Sequence, residues 1–185
     1  MPLYRLTITF LLILLAASAG CENKSAEKAS RDPVSIQHGD ECHVCGMLII
    51  NYPGPKGEAF ERGHDTVRKF CSTRDLFSYL LQPETSAVVR EIYVHDMADA
   101  DWMNPLTAAM VDARQAWYVV NQPLRGAMGP TLATFAKREA AEQFIQREGG
   151  RLMQFDDITL EVITELDYGQ YTAPDPQAHE KHDHH

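Results

Sequence analysis

Within the decapeptide "ECHVCGMLII", Glu41 to Ile50, three sulfur atoms fall inside six residues: Cys42, Cys45 and Met47. The whole chain has only four cysteines in 185 residues, so the concentration asks for a chemical reason. Two thiols at this spacing can close a disulfide, supply half of a tetrahedral zinc site, cycle as a redox dithiol, or hold Cu(I) beside a thioether.

A Cys42–Cys45 bridge closes a very small loop and stabilises little. With Cys21 consumed as described below, Cys42, Cys45 and Cys71 remain, an odd number that leaves one thiol free or paired between molecules. For zinc the second half is missing, because no further C-x-x-C or H-x-x-x-H follows and His43, His64 and His95 are dispersed. A redox dithiol of the thioredoxin kind opens a helix, whose N-terminus lowers the thiol pKa; here the motif runs into the strand-like "GMLIINY". That weakens the oxidoreductase reading without removing it. Cu(I) accounts for the methionine as well, since thiolate and thioether are both soft ligands. In an extended segment residues i and i+2 share a face, so Cys45 and Met47 can point the same way, with Cys42 joining across a tight turn. Taken alone Met47 would read as core packing; its place beside the Cys-x-x-Cys favours a ligand.

The first twenty residues, "MPLYRLTITFLLILLAASAG", carry one charge, Arg5, and then an apolar stretch too short to span a bilayer comfortably. They read as a signal peptide ending at Ser18-Ala19-Gly20-Cys21, which resembles a bacterial lipoprotein cleavage box with Ser18 where leucine is usual. Cys21 is then the lipidated first residue, and Glu22 points to the inner leaflet of the outer membrane. Residues 21–39 are polar and rich in Ser, Ala, Lys and Glu, as a flexible lipid-anchored tether would be. Residues 168–185 read as a disordered His-rich tail that could collect metal weakly. The chain carries 17 Lys plus Arg against 26 Asp plus Glu; without Arg5 the balance is 16 against 26, or −10. An acidic chain with no basic stripe excludes nucleic acid as partner.

The folded part, 40–167, reads as α+β in two similar ββαβ units, 40–105 and 106–167. In the first, Met47 to Tyr52 is strand-like, "PGPKG" reverses the chain, Glu58 to Arg62 returns, and Val67 to Phe70 follows. Ser72 with Asp75 resembles a capping box, opening a helix that stops before Pro83, and Val88 to His95 is strand again. In the second, Trp117 to Asn121, a loop "QPLRGAMGP", Thr131 to Phe135, a helix Lys137 to Arg147 ended by Gly149-Gly150, and Arg151 to Phe155 repeat that order. A shift of 65 residues aligns Phe70 with Phe135, Leu76 with Ala141 and Tyr79 with Phe144, so an internal duplication is expected. A closing helix is expected over Asp156 to Leu166, capped by Asp156. The intervening "HDMADADWMNP", His95 to Pro105, has no period and reads as an exposed loop.

The segments "ECHVCGMLIINYPGPKGEA", "VRKFCSTRDLFSYLLQPE", "YVHDMADADW", "AWYVV" and "GAMGPTLATFA" together resemble the NosL family, accessory lipoproteins of nitrous oxide reductase assembly. The resemblance covers roughly residues 34 to 160. It implies two related ββαβ units and a periplasm-facing Cu(I) chaperone without catalytic activity. It also implies delivery of copper for the copper–sulfide centre of nitrous oxide reductase, through a membrane maturation complex with an ABC transporter and a periplasmic component. Residue by residue, Cys42, Cys45 and Met47 match its C-x-x-C-G-M motif and Met128 the methionine of its glycine-flanked second motif. His95 and Met97, in the "HDM" position, are reserve ligands. From spacing alone Met128 also fits a turn with an incidental methionine, Met103 is incidental, and Cys71 reads as a small buried residue. A lipoprotein exchanging thiols and disulfides through Cys42 and Cys45 is the alternative.

Overall fold

In the computed structural model of the chain, residues 30–166 are described. The expected signal peptide, the lipidation site Cys21, the first part of the tether and the His-rich tail lie outside the described residues.

Strand β1 (Gly57–Glu61) is buried along its whole length because it runs down the middle of an antiparallel sheet. On one side it pairs with β2 (Val67–Phe70), on the other with β3 (Val89–His95), and β4 (Met110–Asp112) extends the sheet from β3. Between β2 and β3 lies helix α1 (Thr73–Leu80), started by the Ser72 hydroxyl, which accepts the Asp75 N–H at 3.1 Å. Its Leu76, Phe77 and Leu80 are buried in the main core. The chain does not simply stop at Pro83: that proline opens a short helix α2 (Pro83–Ser86), where its missing N–H costs nothing.

The second unit begins with β5 (Trp117–Val120), makes a small hairpin of β6 (Arg125–Gly126) and β7 (Gly129–Pro130), and returns as β8 (Ala133–Phe135). Helix α3 (Arg138–Glu148) and β9 (Arg151–Gln154) complete it, and the sheet order is β8-β5-β9. In each unit the first strand is central, flanked by the second strand and by the strand after the helix. The aligned pairs Phe70/Phe135 and Leu76/Ala141 are buried in both copies. The α+β fold with repeated ββαβ topology is thus observed. Residues from both units, among them Phe77, Tyr118 and Met153, share the larger core, while α3 and the second sheet enclose a smaller one.

Four boundaries differ from the expectations. Met47 to Tyr52 is not a strand: Glu41 bridges Leu48, and Ile49–Asn51 form a 3-10 turn, because the segment folds back on itself and spends its hydrogen bonds locally. The three-residue β4 places sheet one beyond Pro105. The closing helix α4 is Leu160–Glu165, capped by Thr159; Asp156 lies in a separate 3-10 turn whose Asp157 carboxylate binds the Gln154 N–H at 2.8 Å. Ordered structure also begins before Asp40. Arg31 stacks 4.6 Å over Phe60 and donates to Glu91, to the Glu61 carbonyl and to the His64 carbonyl. Val34 N–H donates to Glu58 and Lys69 to the Ser35 carbonyl and to Asp40, so residues 31–40 strap the sheet face that carries Glu58 and Phe60.

Gly150, at φ +103, is held where a Cβ would lie 2.7 Å from both Val119 Cγ1 and the Val120 carbonyl. Gly150→Ala is therefore expected to cost about 2 kcal/mol, combining left-handed strain with a clash against backbone. Urea unfolding at neutral pH checks this: an unchanged midpoint would show that α3 and β9 can separate freely.

Candidate metal centre

The centre forms where the Cys-x-x-Cys turn meets the start of α1. The turn is closed by Cys42 N–H to the Met47 carbonyl at 2.9 Å and by Gly46 N–H to the Cys42 carbonyl at 2.8 Å. Gly46, at φ +72, takes the left-handed conformation this requires. His43 N–H donates to the Lys69 carbonyl at 2.8 Å, which lays the turn against β2. That strand runs directly into Cys71, the Ser72 cap and, one turn on, Asp75.

This brings the Sγ atoms of Cys42, Cys45 and Cys71 and a carboxylate oxygen of Asp75 to within 4.8 Å of one another. Cys45 and Cys71 sulfurs are 3.5 Å apart; Asp75 Oδ2 lies 2.9 Å from Cys71, 3.8 Å from Cys42 and 4.0 Å from Cys45. All three thiols are free; Cys42 and Cys71 are buried and Cys45 is half-buried.

Contact with the Cys71 thiol, helped by backbone amides, draws Cys42 down to about 5 against the opposing effect of burial. The same contact, with desolvation and the Asp75 carboxylate, drives Cys71 strongly upward, and burial raises Cys45. Beneath the cluster the fully buried Lys56 donates to the carbonyls of Tyr52, Pro53 and Cys71 at 2.7 to 3.0 Å. Burial lowers Lys56 to about 8, while the electrostatic pull of the neighbouring Cys71 and Cys42 groups resists that fall. A buried ammonium beside ionisable sulfurs offsets negative charge that the interior could not hold alone.

Of the residues expected from sequence, Cys42 and Cys45 meet in the cluster. Met47 closes their turn through its carbonyl and packs half-buried at the edge of the main core. Met128 is 49% exposed, and its loop reaches the start of α1: Arg74 donates to the Met128 carbonyl at 3.1 Å. A Cβ on Gly126 would reach van der Waals contact with Ser72 Cβ at 3.4 Å and press on the Thr131 side chain at 3.1 Å, so the loop packs directly on the helix cap. His95 and Met97 are not among the four clustered groups and, contrary to the expected exposed loop, are buried at 2% and 6% exposure. Met97 N–H bonds the Thr134 carbonyl and its side chain fills the smaller core, while Thr134 Oγ1 donates to the His95 carbonyl. Trp102 is also accounted for, donating to the Arg125 carbonyl and stacking on Phe144. Met103 is exposed.

Sequence reasoning set Cys71 aside as packing and did not consider Asp75 as part of a site. Both are indeed buried, yet both line the cluster. The available signal was their i, i+4 spacing astride a helix cap, which places both groups at one helix N-terminus.

The NosL family model matches residues 33–163. A copper-binding lipoprotein NosL from Stutzerimonas stutzeri is 42% identical over 158 residues, covering 85% of this chain and 82% of that protein. One from Achromobacter cycloclastes is 32% identical over 177 residues, covering 94% and 91%. The crystal structure of the copper chaperone NosL from Shewanella denitrificans superposes with a TM-score of 0.69 at 46% identity, over 71% of this chain and 98% of that one. With its repeated ββαβ topology and its Cys-x-x-Cys-Gly-Met turn laid against a helix cap, the chain is a member of the NosL family.

Proposed function

We propose that the chain is a Cu(I) carrier: a periplasm-facing lipoprotein, anchored through Cys21 at the outer membrane's inner leaflet, that binds copper through sulfur ligands. The observation that carries this reading is the set of three unbridged thiols and one carboxylate within 4.8 Å, reached from outside through the half-buried Cys45. Thiolates suit Cu(I), and the donors are too crowded and too sulfur-rich for a hard divalent ion. Cys42, Cys45 and Cys71 are the proposed ligands, and Met47 and Met128 are the thioethers that the family motifs add. The copper-binding names of the relatives support the metal.

A carrier has to surrender its cargo, and a closed tetrahedron of the structural kind would retain it. Cys45, at the mouth, gives an acceptor's ligand a first point of exchange, and the Met128 loop can shift as that ligand arrives. The destination, nitrous oxide reductase through a membrane complex with an ABC transporter and a periplasmic component, rests on the family resemblance. The thioredoxin-like alternative is weaker, since Cys42 and Cys45 sit in a turn and not at a helix N-terminus.

The test is a Cu(I) titration of the reduced chain against a chelator, with X-ray absorption on the loaded protein. One tightly held Cu(I) with sulfur scatterers, unmoved by equimolar Zn(II), is expected; displacement by zinc would overturn the soft-site reading. Copper delivery is tested separately, by mixing loaded protein with the isolated maturation complex. A reductase normally loaded in cells lacking this chain would remove the delivery step.

A further inference from the structure

We propose that Cys45 and Cys71 form a reversible disulfide that shuts the metal centre. Its biological consequence rests on the copper reading, whereas its chemistry does not. The two sulfurs are 3.5 Å apart, so a movement of about 1.5 Å brings them to bonding distance. Their accessibilities are graded as a two-step exchange needs: Cys45 is half-buried and open to a small oxidant, while Cys71 is fully buried and is reached only through the neighbouring sulfurs, Cys45 at 3.5 Å among them. The rival pair, Cys42 and Cys45, belongs to a single turn already fixed by its own backbone hydrogen bonds. A bond there would close a minimal loop. The Cys45–Cys71 bond instead ties that turn to the start of α1, 26 residues on, and constrains the unfolded chain more.

The step balances with a low-molecular-weight disulfide as oxidant. Cys45 Sγ attacks one donor sulfur, the donor S–S bond breaks, and the thiolate that leaves takes the Cys45 proton. Cys71 Sγ then attacks Cys45 Sγ, the mixed disulfide breaks, and the second thiolate leaves. It takes the Cys71 proton, handed on through Asp75 Oδ2, which already accepts that S–H at 2.9 Å. Two protein thiols lose two electrons and two protons, and the donor becomes two thiols. The oxidised chain keeps Cys42 as the one free sulfur of the trio. It can no longer hold Cu(I) there, and copper already bound masks the reacting sulfurs. In an oxidising compartment the centre would therefore be open only when reduced or loaded.

The experiment uses the full chain, copper-free and reduced, in detergent. It is exposed to glutathione disulfide, quenched with N-ethylmaleimide, digested and mapped by mass spectrometry. The Cys45–Cys71 linked peptide is expected in at least about tenfold excess over Cys42–Cys45, with Cys42 alkylated. Cys71→Ser should lose the linkage and Cys42→Ser should keep it. A dominant link through Cys42, whether to Cys45 or to Cys71, or three alkylated thiols in the wild-type chain, overturns the proposal. Cu(I) titration of the reduced chain is unaffected by either outcome, so failure of the disulfide and failure of the copper reading are told apart.

Discussion

Cys71→Ser is expected to weaken Cu(I) binding at least about a hundredfold in chelator competition on the reduced protein. Cys71 is fully buried at the start of α1, with its sulfur 3.5 Å from Cys45 and 2.9 Å from Asp75. Serine keeps the shape and can still donate to Asp75, so the fold should survive, as circular dichroism can verify. What disappears is a soft sulfur that can give up its proton to a metal; a hydroxyl is hard and stays protonated. Cys45→Ser belongs to the same class. Met47→Leu should cost much less, because a thioether brings no charge. Wild-type affinity in Cys71→Ser would leave Cys71 a packing residue and assign the metal to Cys42, Cys45 and the methionines.

Acidification from about pH 6.5 to about pH 4 is expected to cost about 3 kcal/mol of folding stability through His95 alone. His95 is 2% exposed, and its Nδ1 has no hydrogen-bond partner. Burial first, and the nearby Lys56 second, lower it from 6.5 to about 4. Between those values the unfolded chain binds a proton that the folded chain refuses. Stability is thus fully present above about pH 6.5 and drains away as pH falls through the folded value. Glu58, raised by burial, has the opposite sign: its protonation on acidification favours the fold. Urea unfolding across this range should show the slope in the wild type, and His95→Leu should flatten or reverse it. An identical slope in both would assign the acid sensitivity to other groups.

The repeated topology was legible because its punctuation is local. "PGPKG", the Ser72 cap and Gly149-Gly150 each force a break wherever the chain lies, and the apolar positions between them have the right period. Partner-dependent features were not. Met47 to Tyr52 is β-prone, but composition does not reveal that its amides bond within the turn instead of across a sheet. The three residues of β4 are too few to show a period. His95 to Met97 sits in a polar stretch, and its burial depends on Thr134, 39 residues away. At the candidate metal centre, the Cys-x-x-Cys was readable from spacing. Cys71 was not, since its meeting with Cys45 depends on how the turn docks on β2, through contacts such as His43 N–H to the Lys69 carbonyl and Lys69 to Asp40.

The strap over residues 31–40 has a mechanical meaning. Any pull transmitted along the chain from its N-terminal side reaches Arg31 first, where one guanidinium grips Glu91 and the Glu61 and His64 carbonyls and lies on Phe60. Behind it, Val34 on Glu58 and Asp40 on Lys69 take up the remaining load before Cys42 is reached. The strap works as the strain relief on a cable does. If the chain is tethered at its N-terminal side as proposed, thermal tugging would be taken up in the outer face of the first sheet before it reached the sulfur cluster.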